Sequence, residues 1–334
     1  MTATVDNSNT DSVLRSKRWS AFVRNNGSVI LIYVFIVLLG VIASIKSDRF
    51  LTASNMVNIL RQSIVLGLLV IGQSAVLLTG GMDISVEMVA RIVGLVVATL
   101  FAASGSDPGM IFPLVLLGIS IGAVLGGING LLITRTHAVP FIITFGTYFI
   151  LRGISLAIST TPIRGVPDAY LNLYDAKIGI IPWNVIGMAF IWIIVWLFFT
   201  RTQPGRNIYA VGGSERIARL SAIKVNWTLV SAYIMSSVFA ALAGLFLLAR
   251  TGVGDPNAAA GMTFQSIVAS AVGGVSLYGG RGSTFGMLGG VLLLTLLTNF
   301  FNLTQVNIFF QQLLLGAIVL IAVAAYKSKS LGSL

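Results

Sequence analysis

Residues 62–91 read QSIVLGLLVIGQSAVLLTGGMDISVEMVAR, and their reading decides the fold. No charge falls between Gln62 and Met82, a run of about the twenty residues that an α-helix needs to cross hydrocarbon. Gly80-Gly81 then interrupts it, and Asp83, Glu87 and Arg91 follow at intervals of four. A barrel strand would alternate apolar and polar positions, so a continuously apolar run of this length is helical. Similar runs recur to both sides. Cutting at polar or glycine-rich breaks predicts helices near 28–45, 56–79, 84–104, 111–133, 139–160, 180–200, 227–249, 263–279, 284–302 and 307–326. The expected fold is all-α and integral to the membrane, with about ten transmembrane helices. A transmembrane domain over 28–326 lies between tails at 1–27 and 327–334.

Composition agrees. Of 334 residues, 56% are hydrophobic and 9% charged, where a soluble domain carries about a quarter charged residues. The mean hydropathy is +0.94. With no cysteine and one histidine, the chain lacks material for a disulfide framework, a Cys/His zinc site, a haem or an iron–sulfur cluster, so no metal or cofactor is expected. No GxxxxGK[ST] occurs. Gly279-Gly280-Arg281-Gly282-Ser283-Thr284 is glycine-rich but lacks the lysine and the spacing that cradle phosphates. With so few acidic residues the chain is expected to be no enzyme. His137 reads as a helix-boundary residue.

A net charge of +11 would suggest nucleic acid in a soluble chain. Here the cations flank apolar runs. Arg15, Lys17, Arg18 and Arg24 precede the first run; Arg201, Arg206, Arg216, Arg219 and Lys224 follow the sixth; Lys327 and Lys329 follow the tenth. Ten crossings put all three groups on one side, which the positive-inside rule makes the cytoplasm, with both termini there. The connection at 161–179 balances Arg164 and Lys177 against Asp168 and Asp175, as an outer loop does.

Two glycine ladders, Gly118-Gly122-Gly126-Gly130 and Gly282-Gly286-Gly290, each belong to the fourth run of a set of five. Spacing by four lets helix backbones approach. The second run of each set ends in TGxxD, at Thr79–Asp83 and at Thr251–Asp255. A duplicated unit with an odd number of spans is inverted in the membrane, a plan typical of transporters, so an inverted 5+5 repeat is expected as a hypothesis. Charges at membrane depth line cavities or pair with each other. For Asp83, Glu87 and Arg91 two readings stand open: stabilisation of a helix N-terminus with a Glu87–Arg91 pair near the cytoplasmic interface, or the lining of a translocation route. Gln265, Asn299 and Asn302 are uncharged hydrogen-bonding candidates for the same route, though neighbouring helices need such groups as well.

The connection at 201–226 reads as cytoplasmic. Pro204-Gly205 breaks the preceding helix, Gly212-Gly213 breaks the chain again, and Ser214 can cap a short basic, amphipathic helix through about Ala222, with Glu215 in its first turn.

LLTGGMDISV at 77–86, PFIITFGTYFILRG at 140–153, PGRNIYAVGGSERIARLSAIKV at 204–225 and AVGGVSLYGGRGSTFG at 271–286 together resemble the permease subunits of ribose-type ATP-binding-cassette (ABC) sugar importers. The resemblance implies the ABC importer permease fold in the cytoplasmic (inner) membrane of a bacterium. It also implies import of a monosaccharide or related small polar solute, two separate ATPase subunits, a second permease subunit (identical or paralogous), and a periplasmic or surface-tethered sugar-binding protein. On this resemblance Gly205, Arg206, Gly212, Gly213 and Ser214, Glu215, Arg216, Ile217, Ala218, Arg219, Leu220, Ser221 form the segment that docks on the ATPase, and Gly80, Gly81, Asp83 and Ser85 match the pathway motif. The chain departs from the family at Glu87, where glycine is common, at Arg91, where a small or apolar residue is usual, and at Ala222, where glycine often stands. Three other readings remain: a proton-coupled carrier using Asp83 and Glu87, an ABC permease for branched-chain amino acids or nucleosides, and a membrane scaffold.

Overall fold

A computed structural model describes residues 27, 29–307, 309–314 and 316–317. Apart from Gly27, the expected tails lie outside the described residues, as does the expected helix at 307–326 beyond residue 317; helical turns are present at 309–314 and 316–317. Eight helical stretches are long and apolar enough to cross a membrane. They are α1 (Val29–Lys46), α2 (Ala53–Leu78), α3 (Val86–Ala103), α4 (Ile111–Thr136, extended by a 3-10 turn at Pro108–Met110), α5 (Pro140–Ile158), α7 (Trp183–Arg201), α10 (Val225–Thr251) and α12 (Thr284–Leu303). Shorter helices fill the connections: α6 (Asp168–Asp175), α8 (Gln203–Gly213), α9 (Glu215–Leu220) and α11 (Met262–Val272). A two-stranded hairpin pairs β1 (Lys177–Ile178) with β2 (Ile181–Pro182).

Burial divides the helices into a centre and a rim. Nearly every residue of α2 from Ile64 onward is buried, and α3 is buried along most of its length. On α1, α4, α5 and α7 apolar side chains such as Val37, Phe112, Val124, Ile150 and Phe190 are exposed. No water-soluble protein leaves that much apolar surface bare, and hydrocarbon is the solvent that suits it.

Glycine sets how close the centre packs. Along α4, a side chain at Gly126 would meet the backbone of Tyr233 and Ile234, and one at Gly130 would stand 2.7 Å from the Val230 Cα. The first ladder is therefore the contact face of α4 on α10. The second ladder does the same for α12 on α11, where Gly286 and Gly290 face the carbonyls of Gly273 and Ala269. The pairing between the halves is reciprocal: α4, fourth in its set, packs on α10, second in the other, and α12 packs on α2 in the same relation.

Two sequence expectations change. The run at 263–279 does not cross as one helix. Gly273-Gly274 stops α11 after 11 residues, with Gly274 at φ +83°, so it reaches about 16 Å, half the hydrocarbon thickness. Before it, residues 252–261 form a series of turns in which Gly254, Pro256 and Ala259 are buried while Asn257, Ala260 and Gly261 are exposed. The third long helix starts at Val86 rather than near Ile84, which leaves Asp83 in the turn before it. His137 does end α4, as its C-cap at φ 53°, with its N–H bonded to the Ile133 carbonyl.

Candidate functional site

The chain leaves α2 at Thr79, turns at Gly80 with φ +84°, and runs through Met82 and Asp83 into α3. Asp83 is fully buried, and its carboxylate is held by donors on two elements. Oδ1 accepts from the Ser85 N–H (2.9 Å) and the Ser85 hydroxyl (2.6 Å), and Oδ2 accepts from the Ser236 hydroxyl of α10 (2.8 Å). The network continues outward. Asn129 of α4 donates to Ser85 Oγ (3.1 Å), Thr147 of α5 donates to Asn129 Oδ1 (2.6 Å), and the Ile84 N–H donates to Thr144 Oγ1 of α5 (3.1 Å). One short loop thus ties α3, α4, α5 and α10 through side chains that compensate for lost solvation.

Glu87 and Arg91 lie one turn apart on α3, both buried (5% and 7% exposed). Their pair is therefore enclosed by protein. Arg91 Nη2 reaches Glu87 Oε1 at 3.3 Å, and Arg91 Nε donates to the Ala258 carbonyl at 3.0 Å. Glu87 Oε2 accepts from the Gly261 N–H (3.0 Å) and the Thr263 N–H (3.5 Å), and the Glu87 N–H donates to Thr263 Oγ1 (3.3 Å). Glu87 lies in the first turn of α3, and its carboxylate also reaches the N-terminus of α11, where the unpaired N–H groups and the helix dipole favour an anion. Glu87 and Arg91 together clamp both ends of segment 258–263.

The remaining candidates sit elsewhere. Gln265 is half-buried on α11 and takes no part in the Glu87 contacts. Asn299 forms a reciprocal pair with Asn55 (3.1 and 2.9 Å) that joins α12 to the first turn of α2. That pair is about 35 Å along α2 from the Asp83 loop. Asn302 accepts from Gln311 at 3.3 Å.

Beyond α7, Thr202 caps α8 through the Gly205 N–H (3.2 Å), and Ser214 caps α9 through the Ile217 N–H (3.3 Å). Arg206 donates back to the Arg201 carbonyl at 3.0 Å. The short helix has one buried residue, Ala218, which packs with Val211 and Val225. Ile217 and Leu220 are 65% and 81% exposed, and Arg219 pairs loosely with Glu215 at 3.6 Å. Ala222, directly after it, lies in the left-handed region at φ 58°. The reason glycine suits that position is therefore backbone conformation, not close packing.

The two regions meet at one place. Gly280 N–H donates to the Leu78 carbonyl at 2.9 Å. A side chain at Gly212 would collide with that carbonyl and with the Gly280 nitrogen, and one at Gly279 would stand 2.8 Å from both the Gly212 carbonyl and the Gly80 nitrogen. Three glycine pairs, 80–81, 212–213 and 279–280, thus bring α2, α8 and the loop before α12 into backbone contact. Tyr209 fastens the same junction by donating to the Gly282 carbonyl (3.2 Å), and burial pushes its phenol up to about 12.

Sequence reasoning overlooked Asn129, Thr144, Thr147, Ser236 and Thr263. Asn129 carried a signal, being the polar residue beside Gly130 in the glycine ladder. The hydroxyls did not, since such residues are common in membrane helices.

Compared with known proteins, residues 55–323 match the family model described as branched-chain amino acid transport system / permease component. The chain is 38% identical to the ribose import permease protein RbsC of Bacillus subtilis, with 88% of this chain and 91% of that protein aligned. It is 35% identical to the D-allose transport system permease protein AlsC of Escherichia coli (87% and 89%). With the galactose/methyl galactoside import permease protein MglC of Escherichia coli it shares 30% identity (94% and 97%). No solved structure matches.

Proposed function

Since the chain belongs to the branched-chain amino acid transport system / permease component family, we propose that it forms the membrane pathway of an ATP-driven importer for a monosaccharide or related small polar solute. The sugar class is supported by relatives named for ribose, D-allose and galactose import. The assembly is two ATPase subunits, this permease with an identical or paralogous second copy, and a periplasmic or surface-tethered binding protein. The bias of cations supports a cytoplasmic position for both termini and for the 201–226 connection.

The observation that carries the reading is the glycine junction. Segment 214–221 presents two exposed apolar side chains, Ile217 and Leu220, among Glu215, Arg216 and Arg219. Outside a membrane, that combination suits a groove in a partner protein. Through Gly212 it is in backbone contact with Leu78 and, by way of Gly279, with Gly80, three residues from Asp83. Movement of an ATPase against α9 would therefore displace the end of α2 and the loop before α12 together, because neither neighbour has side-chain space to absorb it.

Within the membrane, Gly80, Gly81, Asp83 and Ser85 would hold the loop that separates inward and outward openings. Glu87 and Arg91 would fix the half-helix α11 beside it. The short α11, which stops at Gly273-Gly274, fits the rule that non-helical backbone at membrane depth lies inside protein or beside a cavity. A proton-coupled carrier needs a carboxylate that exchanges partners freely, and both carboxylates here are fixed by several donors.

The test is a pull-down of the tagged chain from gently solubilised membranes with uptake measured in parallel. Recovery of an ATPase subunit, lost when Arg216→Glu is combined with Arg219→Glu, is the expected result. Uptake that continues without an ATPase and collapses with a protonophore would defeat the proposal.

A further inference from the structure

At the end of the protein opposite the glycine junction, a groove of about 420 Å³ lies between the first turns of α2 and the β1–β2 hairpin, lined by Ala53, Ser54, Val57, Asn58, Arg61, Lys177 and Ile180. Its polar side chains are mostly donors. Arg61 uses Nη1 on Asp175 (3.0 Å) and rests over the Tyr174 ring, 5.5 Å from its centroid. Its Nε and Nη2 are buried and have no hydrogen-bond partner among the described residues. Asn58 accepts from Gln62 with its carbonyl (3.2 Å), which leaves its amide N–H groups to donate. The nearby carboxylate, Asp175, is already committed to Arg61, and Lys177 is exposed. Buried donors without acceptors are costly, and a guanidinium beside an ammonium suits an anion with several oxygens, above all phosphate.

The height of the groove selects the source of that anion. α2 starts at Ala53 and α7 starts at Trp183, directly after the hairpin. The groove therefore lies where two spans begin, the level of lipid headgroups. Its apolar side agrees, since Ile180 lines it and is exposed, as are Ile178 and Ile181 of the same hairpin. An isoleucine-rich hairpin tip and a basic groove at one height fit a lipid, acyl chains against the former and phosphate in the latter. We propose that Arg61, Lys177 and Asn58 bind the headgroup phosphate of an anionic phospholipid in this leaflet. The site is independent of the transported solute.

The test uses the full-length chain in detergent, with lipid retention read by native mass spectrometry after addition of dioleoyl phosphatidylglycerol or dioleoyl phosphatidylcholine. Phosphatidylglycerol should be retained preferentially. Lys177→Gln, which leaves the Arg61–Asp175 pair untouched, should weaken retention roughly fivefold, and Arg61→Gln should weaken it further. Asp175→Asn keeps both cations and should retain the lipid at least as well as the parent, which separates loss of the site from loss of the fold. Equal retention of the two lipids, or unchanged retention in Lys177→Gln and Arg61→Gln, would overturn the proposal. So would displacement of phosphatidylglycerol by an equal concentration of inorganic phosphate, which would assign the groove to a free anion. Loss of binding-protein docking in these variants with lipid retention intact would also overturn it, in favour of a protein carboxylate.

Discussion

The loop at 79–91 and the segment at 212–224 start alike and end differently. Each leaves a helix through a glycine pair and enters the next helix at a serine N-cap, with an acidic residue close by: Asp83 and Glu87 in one, Glu215 in the other. In the first, every charge is buried and has a partner on a distant segment: Asp83 accepts from Ser236, Glu87 accepts from the Gly261 N–H, and Arg91 donates to the Ala258 carbonyl. In the second, Glu215 and Arg219 are half exposed and pair loosely one turn apart, a contact worth less than about 1 kcal/mol, while Arg219 also donates to Asn226 Oδ1 at the start of α10 (3.2 Å). The sequence motif is thus similar while the energetic role is opposite. Substitutions in the first should damage the fold, and those in the second should spare it and damage assembly.

The comparison breaks most severely at the junction the two regions share. Gly212→Val places a branched side chain against the Leu78 carbonyl and the Gly280 nitrogen, and should yield no monodisperse protein by size-exclusion chromatography. Next is Arg91→Met, which leaves Glu87 buried with its counter-charge removed and should cost about 3–5 kcal/mol. Glu87→Gln added to it should restore part of that loss in a double-mutant cycle followed by thermal unfolding; strict additivity would show that the pair is not coupled. Asp83→Ala removes the acceptor of three hydrogen bonds and should cost about 3 kcal/mol, with uptake lost as well.

The smaller effects sharpen the contrast. Ala222→Gly relieves a left-handed alanine and should raise stability by about 1 kcal/mol without changing uptake. Arg216→Glu with Arg219→Glu should leave thermal unfolding within about 0.5 kcal/mol of the parent while ATP-dependent uptake disappears. A large loss of stability in that variant would mean that α9 belongs to the core and not to a docking surface.

The amino-acid sequence by itself determined the solvent, the class of element and most of the helix positions. A continuous apolar run must satisfy its backbone internally wherever it crosses hydrocarbon, and that constraint is local. The cap at Ser214 and the stop at His137 were local too. The glycine ladders announced close helix contacts but not their partners. Only the tertiary structure decided that Glu87 caps α11, 174 residues on at Gly261, and that the three glycine pairs converge. It also decided that α11 ends halfway and that Asn299 clasps α2 far from Asp83. Composition records that a buried carboxylate needs donors, whereas which donors reach it is set by how the helices cross, and no short stretch of sequence contains that information.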